Sequence, residues 1–224
     1  MKAIILAGGF GTRLQSVVKD VPKPMADINT RPFLYYILKK LSFYNIDEVV
    51  ISVGYKQDII KKYFKNSFDG MNIIYSSEKI PLGTGGALKK ALTFVKSTEN
   101  ILVLNGDTFF DINIEDFFNS SKSYRINLAI KPMQNFDRYG SIEILDNKII
   151  SFKEKQFTKK GFINTGAYFI NKDIFKDIDK DIFSFEEFLV KEKDIYIYKA
   201  DNYFIDIGIP DDYEKAKNDF KDMF

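Results

Sequence analysis

Glycine and basic residues gather at the end of the first apolar run, a pattern that suits phosphate binding. The run spans residues 1–7, and the stretch Gly-Gly-Phe-Gly-Thr-Arg-Leu follows it directly at residues 8–14. Glycines let backbone N–H groups approach phosphate oxygens, because no Cβ intervenes. Arg13 can hold a phosphate through two parallel hydrogen bonds, and Lys23 adds a point charge. The pattern predicts a cradle for a nucleoside triphosphate, and the alternative is a tight turn after the strand.

Two common glycine fingerprints do not describe this loop. The dinucleotide pattern G-x-G-x-x-G requires a glycine where Leu14 stands. The Walker pattern ends in Gly-Lys-Ser or Gly-Lys-Thr, and neither tripeptide occurs in the chain. The loop is therefore neither of these two nucleotide-binding types.

Two aspartates end apolar strands and suit a divalent cation. Asp107 closes the segment Asn-Gly-Asp, and Asp206 lies within Phe-Ile-Asp-Ile-Gly. Carboxylates at two strand ends above a phosphate cradle can hold one Mg²⁺ that bridges phosphate oxygens. Either aspartate taken alone can equally be a helix cap or a turn former.

A charged segment and two turn-like segments are candidate contacts for a sugar phosphate. Lys155 can bind a substrate phosphate and Glu154 can bind sugar hydroxyls, although a solvated strand end is the simpler interpretation. Tyr139 and Gly140, together with residues 164–166 (Asn-Thr-Gly), can offer amide and backbone contacts to a sugar. On their own these segments indicate only turns.

Composition excludes several kinds of chemistry. The 224 residues include 33 basic and 31 acidic side chains, no cysteine and no histidine. Disulfides, zinc–thiolate sites and histidine bases are thus excluded, and a bound metal must be held by carboxylates. The net charge of +2 gives no indication of a nucleic-acid or membrane partner. With no signal peptide or membrane-spanning stretch, we expect a cytoplasmic protein.

Strand and helix patterns alternate through the first half of the chain. Near-continuous apolar strands are predicted at residues 1–7, 47–53, 71–76 and 101–104. Helices are predicted from residue 31, over 56–65 and from about 82 to 95. Helical spacing predicts that the first buries Phe33, Ile37, Leu38 and Leu41, and that the second turns Ile59, Ile60, Tyr63 and Phe64 inward. This order predicts a parallel sheet with helices on both faces, which binds ligands beyond the carboxyl ends of its strands.

The second half changes to strands joined by short links. We expect strands at residues 125–131, 140–145, 148–153, 162–170, 195–199 and 203–206. Residues 184–187 (Ser-Phe-Glu-Glu) predict a capping box that opens a helix, and a final helix starts at Pro210. We expect one α/β domain whose later part folds over the mouth of the sheet.

The motifs together resemble a known family. Leu-Ala-Gly-Gly-Phe-Gly-Thr-Arg-Leu at residues 6–14, followed by Pro-Lys-Pro at 22–24, resembles the signature of the sugar-1-phosphate nucleotidylyltransferases. Segments matching the later motifs follow in order at residues 82–86, 105–107, 154–155, 164–166 and 206–208. The resemblance implies a three-layer, Rossmann-like, mostly parallel α/β sheet with a small antiparallel sugar-binding part. It implies one domain over 1–224, with nucleotide bound by about 1–110 and sugar by about 111–210.

The resemblance also implies a reaction, its residues and its partners. A sugar 1-phosphate attacks the α-phosphorus of a nucleoside triphosphate and releases pyrophosphate, with Mg²⁺ on Asp107 and Asp206. Arg13 and Lys23 are the implied catalytic residues. The resemblance also implies a homodimer, which is common in the family. The implied nucleotide-binding residues are Leu6, Ala7, Gly8, Gly9, Gly11, Thr12, Arg13, Lys23, Glu78, Gly83, Thr84, Asn105 and Asp107. The implied sugar-phosphate-binding residues are Tyr139, Gly140, Glu154, Lys155, Asn164 and Thr165.

Glu78 is the residue that bears on which nucleotide base is bound. Guanine offers two adjacent donors, N1–H and the 2-amino group, which one carboxylate accepts as a pair. Thymine and uracil suit an amide instead, and an exposed Glu78 with no role is the alternative. Residues 14–34 and 104–111 look most like the D-glycero-α-D-manno-heptose 1-phosphate guanylyltransferases, which implies an activated sugar for capsule or lipopolysaccharide. The alternatives are a mannose-1-phosphate guanylyltransferase, a uridylyl- or thymidylyltransferase, and a non-catalytic nucleotide-sugar-binding protein.

Overall fold

The computed structural model describes residues 1–9, 14, 17–96, 100–146, 148–153, 155–192, 195–221 and 223. Within these residues the strands are β1 Lys2–Ala7, β2 Asp27–Ile28, β3 Arg31–Pro32, β4 Glu48–Val53, β5 Ser67–Phe68, β6 Met71–Ser77, β7 Ile101–Asn105, β8 Thr108–Phe110, β9 Ile126–Phe136, β10 Ser141–Leu145, β11 Lys148–Lys153, β12 Thr158–Ile170, β13 Ile195–Lys199 and β14 Phe204–Asp206. The α-helices are α1 Phe33–Leu41, α2 Gln57–Phe64, α3 Gly83–Leu92, α4 Ile114–Ser121, α5 Phe185–Lys191 and α6 Pro210–Asp219. Among the described helices, none is long and apolar enough to cross a membrane.

The centre of the main sheet is parallel. β1 lies between β4 and β7 and runs parallel to both, and β6 extends the parallel part beyond β4. β1, β4 and β7 consist mainly of buried aliphatic residues, as parallel strands covered on both faces require, whereas β6 is more polar and only partly buried. Their carboxyl ends therefore open on one common edge of the sheet.

Successive residues of β1 point into two separate cores, which makes the fold three-layered. Ile5 packs in a core with residues of α1, α2, α4 and α6, whereas Ile4 packs in a second core with residues of α3 and α5. Side chains alternate between the faces of a strand, so one apolar strand supplies both cores. The predicted α/β fold class is confirmed.

The second half of the chain extends the main sheet beyond β7. β12 runs antiparallel to β7 and also pairs with β9 and β10, so four further strands join at this side. The register of β12 shifts between Asn164 and Tyr168, where Gly166 has a φ of +71°. The turn-like residues 164–166 that interrupt the strand pattern are thus a bulge inside a long strand.

The helix predictions succeed at α1 and are partly wrong at α2. Phe33, Ile37, Leu38 and Leu41 form the buried face of α1, as their spacing predicts. Tyr63 was expected to face inward with Phe64, but it is 44% exposed. Its ring contacts the Phe64 ring edge-on at 4.7 Å, so one side packs while the other faces water.

Candidate active site

A cavity of about 660 Å³ opens at the carboxyl ends of the parallel strands. The ends of β1, β4 and β7 and the segment after β6 contribute to its wall, in agreement with the position expected for a ligand in such a sheet. Most of the predicted nucleotide-binding residues that the structure describes line it: Leu6, Gly8, Gly9, Glu78, Gly83, Thr84, Asn105 and Asp107.

Among the described residues, the predicted nucleotide-binding residue Ala7 does not line this cavity. Ala7 is 2% exposed and belongs to the core shared with α1, so its side chain is structural. Gly11, Thr12, Arg13 and Glu154 lie outside the described residues. Their predicted roles stay predictions.

Lys23 lies between the two predicted metal-binding aspartates. Its Nζ donates to Oδ2 of Asp107 and to Oδ1 of Asp206, at 2.8 Å in each case. Lys23 follows Pro22 in a short 3₁₀ turn, Asp107 comes just after β7, and Asp206 ends β14. Burial alone would lower the pKa of the Lys23 ammonium, but the two carboxylates outweigh it and raise the pKa above its ordinary value. The two aspartates therefore converge on one cation position, and a lysine ammonium occupies it.

Pairing of short strands brings the aspartates together. β8 and β14 pair antiparallel, with Asp206 opposite Thr108, the residue after Asp107. A Cβ at Gly208 would lie 2.9 Å from Oδ1 of Asp206 and 3.1 Å from Nζ of Lys23. Glycine at this position therefore leaves the room that the ion pair fills.

Two hydrogen bonds hold the carboxylate of Glu78 on the cavity wall. Ser52 donates to Oε1 from β4, and the backbone N–H of Leu82 donates to Oε2, both at 3.1 Å. A Cβ at Gly8 would lie 2.6 Å from Oε1, so glycine lets this carboxylate approach the first loop. Glu78 thus faces the cavity in a fixed orientation, with lone pairs left for a ligand.

Ser52 is a site residue that the sequence analysis missed. It is fully buried in β4, where its neighbours in the strand are isoleucine and valine. A hydroxyl inside an otherwise apolar strand requires a hydrogen-bond partner, and this requirement is the signal that points to a neighbouring polar group.

The glycines of the second loop have different roles. Gly83 has a φ of +72°, which glycine adopts without strain, and it lines the cavity. A Cβ at Gly86 would lie 2.0 Å from the carbonyl oxygen of Asp181, and one at Gly85 would lie 2.3 Å from the Phe183 ring. Gly85 and Gly86 therefore permit close packing of α3 against the segment before α5.

The beginning of α3 is occupied by groups of the chain itself. The carbonyl of Phe183 accepts hydrogen bonds from the N–H groups of Gly85 and Gly86. The Thr84 hydroxyl donates to Glu186 at 2.8 Å and accepts from the N–H of Phe185 at 2.8 Å. These contacts tie α3 to α5, so the side chain of Thr84 supports the cavity wall. In α5 the Ser184 hydroxyl accepts from the N–H of Glu187, the first half of the predicted capping box.

Tyr139, which was predicted to bind the sugar phosphate, lies close to Asp206. Its ring contacts Phe204 edge-on at 5.6 Å. Burial raises the pKa of the Tyr139 hydroxyl, and the carboxylates of Asp212 and Asp206 raise it further. The phenol therefore stays protonated and available as a hydrogen-bond donor. Gly140 follows it, and a Cβ there would lie 2.9 Å from the carbonyl oxygen of Lys153.

The side chains of Asn164 and Thr165 are engaged by the fold. The Asn164 amide donates to the Tyr168 hydroxyl at 2.7 Å and accepts from the N–H of Gly166 at 2.9 Å. Thr165 is 1% exposed, and its hydroxyl donates to the carbonyl of Ala129. Both side chains stabilise the bulge in β12, which disfavours a direct sugar contact by Thr165. Lys155 is exposed just beyond β11.

Comparison with known proteins identifies the family to which the chain belongs. A family model described as nucleotidyl transferase matches residues 2–223, and the chain belongs to this family. It is 52% identical over 219 residues to the D-glycero-alpha-D-manno-heptose 1-phosphate guanylyltransferase of Campylobacter jejuni, covering 95% of this chain and 97% of that protein. The protein of the same name from Aneurinibacillus thermoaerophilus is 48% identical over 229 residues, with 99% of each chain covered.

A solved structure agrees with these relatives. The crystal structure of HddC from Yersinia pseudotuberculosis superimposes with a TM-score of 0.90 at 38% identity, covering 98% of this chain and 99% of that one. A second structure of HddC, complexed with GMP-PN, matches equally well, with a TM-score of 0.90. The family and the enzyme class predicted from the sequence motifs are confirmed.

Proposed function

We propose that this chain transfers a guanylyl group from GTP to D-glycero-α-D-manno-heptose 1-phosphate and releases pyrophosphate. The two relatives at 52% and 48% identity carry that name over nearly their whole length, which supports the choice of sugar. The product would be an activated sugar of the kind that surface polysaccharide synthesis consumes. Residues 1–110 would bind the nucleotide and residues 111–210 the sugar phosphate. The enzyme would act in the cytoplasm, where its triphosphate substrate is available. It would act as a homodimer.

The position of Glu78 carries the choice of base. Its carboxylate faces the cavity, and Ser52 and the N–H of Leu82 fix its orientation. Guanine presents N1–H and the 2-amino group side by side, and a carboxylate accepts from both. Uracil and thymine present one donor between two carbonyl acceptors, so a carboxylate would repel one of their oxygens.

The residues present suit a Mg²⁺ ion at Asp107 and Asp206. Two carboxylates that bind one ammonium already define a cation position. In the described parts of the chain, no cluster of three or more acidic side chains could hold a metal. This matches Mg²⁺, which commonly takes one or two carboxylates and completes its shell with water and substrate phosphates. When bound, such an ion neutralises charge on the reacting phosphates.

The proposed reaction is an in-line displacement at the α-phosphorus. A phosphate oxygen of the sugar 1-phosphate forms a bond to the α-phosphorus. The bond from that phosphorus to the oxygen bridging to the β-phosphate breaks, and pyrophosphate leaves with that oxygen and its electron pair. Lys23, released from the aspartates, would place its ammonium on an α-phosphate oxygen and stabilise the charge that develops there. Arg13 would hold the departing pyrophosphate and Lys155 the sugar phosphate.

The test is pyrophosphate release with Mg²⁺, crossing four nucleoside triphosphates with heptose, mannose and glucose 1-phosphates. We expect activity with GTP and a manno-configured sugar, highest with the heptose. Preference for UTP, CTP or dTTP would contradict the base assignment and leave the reaction class intact. Preference for GTP with mannose 1-phosphate would support guanylyl transfer but contradict the assignment of heptose 1-phosphate as the substrate.

The Asp107→Asn variant tests the metal position and separates an enzyme from a nucleotide-sugar-binding protein. Turnover should fall at least roughly a hundredfold, because charge stabilisation at the phosphates is lost. Asp179→Asn is the matched control, since Asp179 is exposed on the segment before α5. Full activity in Asp107→Asn would refute the metal assignment.

A further inference from the structure

Gln57 lines the same cavity as Glu78 and was not among the predicted site residues. It is the first residue of α2, which begins just after the carboxyl end of β4. β4 and β6 pair in parallel with Val53 opposite Ser77, so Gln57 and Glu78 both follow the ends of neighbouring strands. An amide and a carboxylate thus lie on adjacent parts of one wall.

Lys61 fixes the orientation of the Gln57 amide. Its Nζ donates to Oε1 of Gln57 at 2.8 Å and to Oγ of Ser77, the residue before Glu78, at 2.9 Å. An ammonium group only donates hydrogen bonds, so the amide must turn its oxygen toward Lys61 and its NH₂ group away. Among the described residues, no hydrogen bond uses this Nε2. The wall therefore presents a fixed amide donor beside a fixed carboxylate acceptor.

The Watson–Crick edge of guanine carries three polar groups in a row. These are the 2-amino donor, the N1–H donor and the O6 acceptor. With Glu78 accepting from the two donors, O6 is the group that still requires a donor, since an acceptor that loses its water and stays unpaired costs free energy. We infer that Nε2 of Gln57 donates to O6, so that Gln57 and Glu78 together select a 6-oxopurine. Adenine would place a 6-amino donor against the Gln57 donor. This inference rests on the guanylyl transfer proposed above.

The test compares nucleotides with and without O6 by calorimetric titration in the presence of Mg²⁺. Gln57→Leu should weaken GTP and ITP binding by about tenfold, the size of one hydrogen bond. It should change the binding of 2-aminopurine riboside triphosphate, which lacks O6, by less than about twofold. Gln57→Glu is nearly isosteric and keeps a partner for Lys61, but it places an acceptor against O6 and should weaken GTP at least as much. Gln134→Leu, an exposed glutamine on β9, is the control.

The outcomes distinguish this inference from the proposed function. Wild-type protein that prefers GTP, with Gln57→Leu and Gln57→Glu both binding GTP normally, would overturn the role of Gln57 alone. Equal weakening of GTP and the 2-aminopurine nucleotide would also overturn it, because the loss would then be unrelated to O6. Wild-type protein that prefers UTP or dTTP would overturn both proposals. Thermal unfolding of each variant verifies that it is folded.

Discussion

Lys23 and Asp206, 183 residues apart in the chain, form a salt bridge of 2.8 Å beside Asp107, which lines the cavity. The side chain of Lys23 is only 10% exposed, and its ammonium also pairs with Asp107. A cation with both carboxylates as ligands must therefore replace the ammonium. That exchange would free Lys23 for the α-phosphate at the moment when the substrate and its metal ion are both bound.

The first prediction concerns competition between Lys23 and a metal ion. Lys23→Met removes the ammonium but keeps most of the side-chain volume, so the two carboxylates face each other without a counter-charge. Binding of Mn²⁺ alone, followed by electron paramagnetic resonance of the free ion, should tighten by at least about tenfold. Turnover should fall at least roughly a hundredfold.

Lys176→Met, a change at an exposed position before α5, should leave both quantities unaltered. Unchanged Mn²⁺ affinity in Lys23→Met would show that the ammonium does not occupy the metal position.

The second prediction uses Gly208 to move the ion pair without disturbing the fold. The nearest atoms to a Cβ at this position are side-chain atoms, Oδ1 and Cγ of Asp206 and Nζ of Lys23, rather than backbone. Gly208→Ala should therefore shift Tm by only about 2 °C or less, which corresponds to under roughly 1 kcal/mol in a chain of this size. Because it displaces the side chains proposed to bind the metal and the α-phosphate, kcat should fall roughly ten- to a hundredfold. A large loss of stability, or wild-type kcat, would contradict this interpretation of the glycine.

The third prediction concerns Gly86, where we expect a substitution to lower the stability of the fold. Replacing a glycine inside a helix by alanine ordinarily stabilises the helix by up to about 1 kcal/mol. Here the added Cβ would meet the backbone carbonyl of Asp181 at 2.0 Å, which cannot move without separating α3 from the segment before α5. Gly86→Ala should cost about 1–3 kcal/mol and lower Tm by roughly 2–12 °C. An increase in Tm on thermal unfolding would contradict the close packing.

The fourth prediction concerns choice of base by Glu78. Glu78→Gln exchanges a double acceptor for one acceptor and one donor, the arrangement that uracil and thymine match. The ratio of kcat/KM for GTP to that for UTP should fall by about 10- to 100-fold, the usual worth of one two-point base contact. Glu115→Gln, on the exposed side of α4, is the control. An unaltered ratio would remove Glu78 from base selection.

The parallel half of the fold was predictable because its signals are local. β1, β4 and β7 are short apolar runs, and α1 repeats apolar residues at helical spacing, so neighbouring residues alone indicate the elements. α4 was missed although its signal is also local. Asn113 caps it by accepting from the N–H groups of Glu115 and Asp116, a pattern of polar residues that marks a helix start.

The site was predictable in its residue types but not in their contacts. Lys23, Asp107 and Asp206 could be chosen as charged groups near glycines, yet their direct pairing depends on segments 84 and 183 residues away from Lys23. Thr165 shows the reverse case. It lies in a motif that indicates binding, but a bulge turns its hydroxyl toward the carbonyl of Ala129. Tertiary packing decides whether such a side chain faces the candidate site or bonds within the fold. A local sequence pattern does not carry this information.

Guanylyl transfer is tested most directly by ³¹P NMR of the protein with GTP, Mg²⁺ and D-glycero-α-D-manno-heptose 1-phosphate. We expect the resonances of GTP and of the sugar phosphate to disappear together. A pair of coupled diphosphate signals from the nucleotide sugar and one signal from free pyrophosphate should replace them in equal amounts. Appearance of GDP and inorganic phosphate, with the sugar phosphate unchanged, would contradict attack at the α-phosphorus, and so would the absence of any reaction with this pair of substrates.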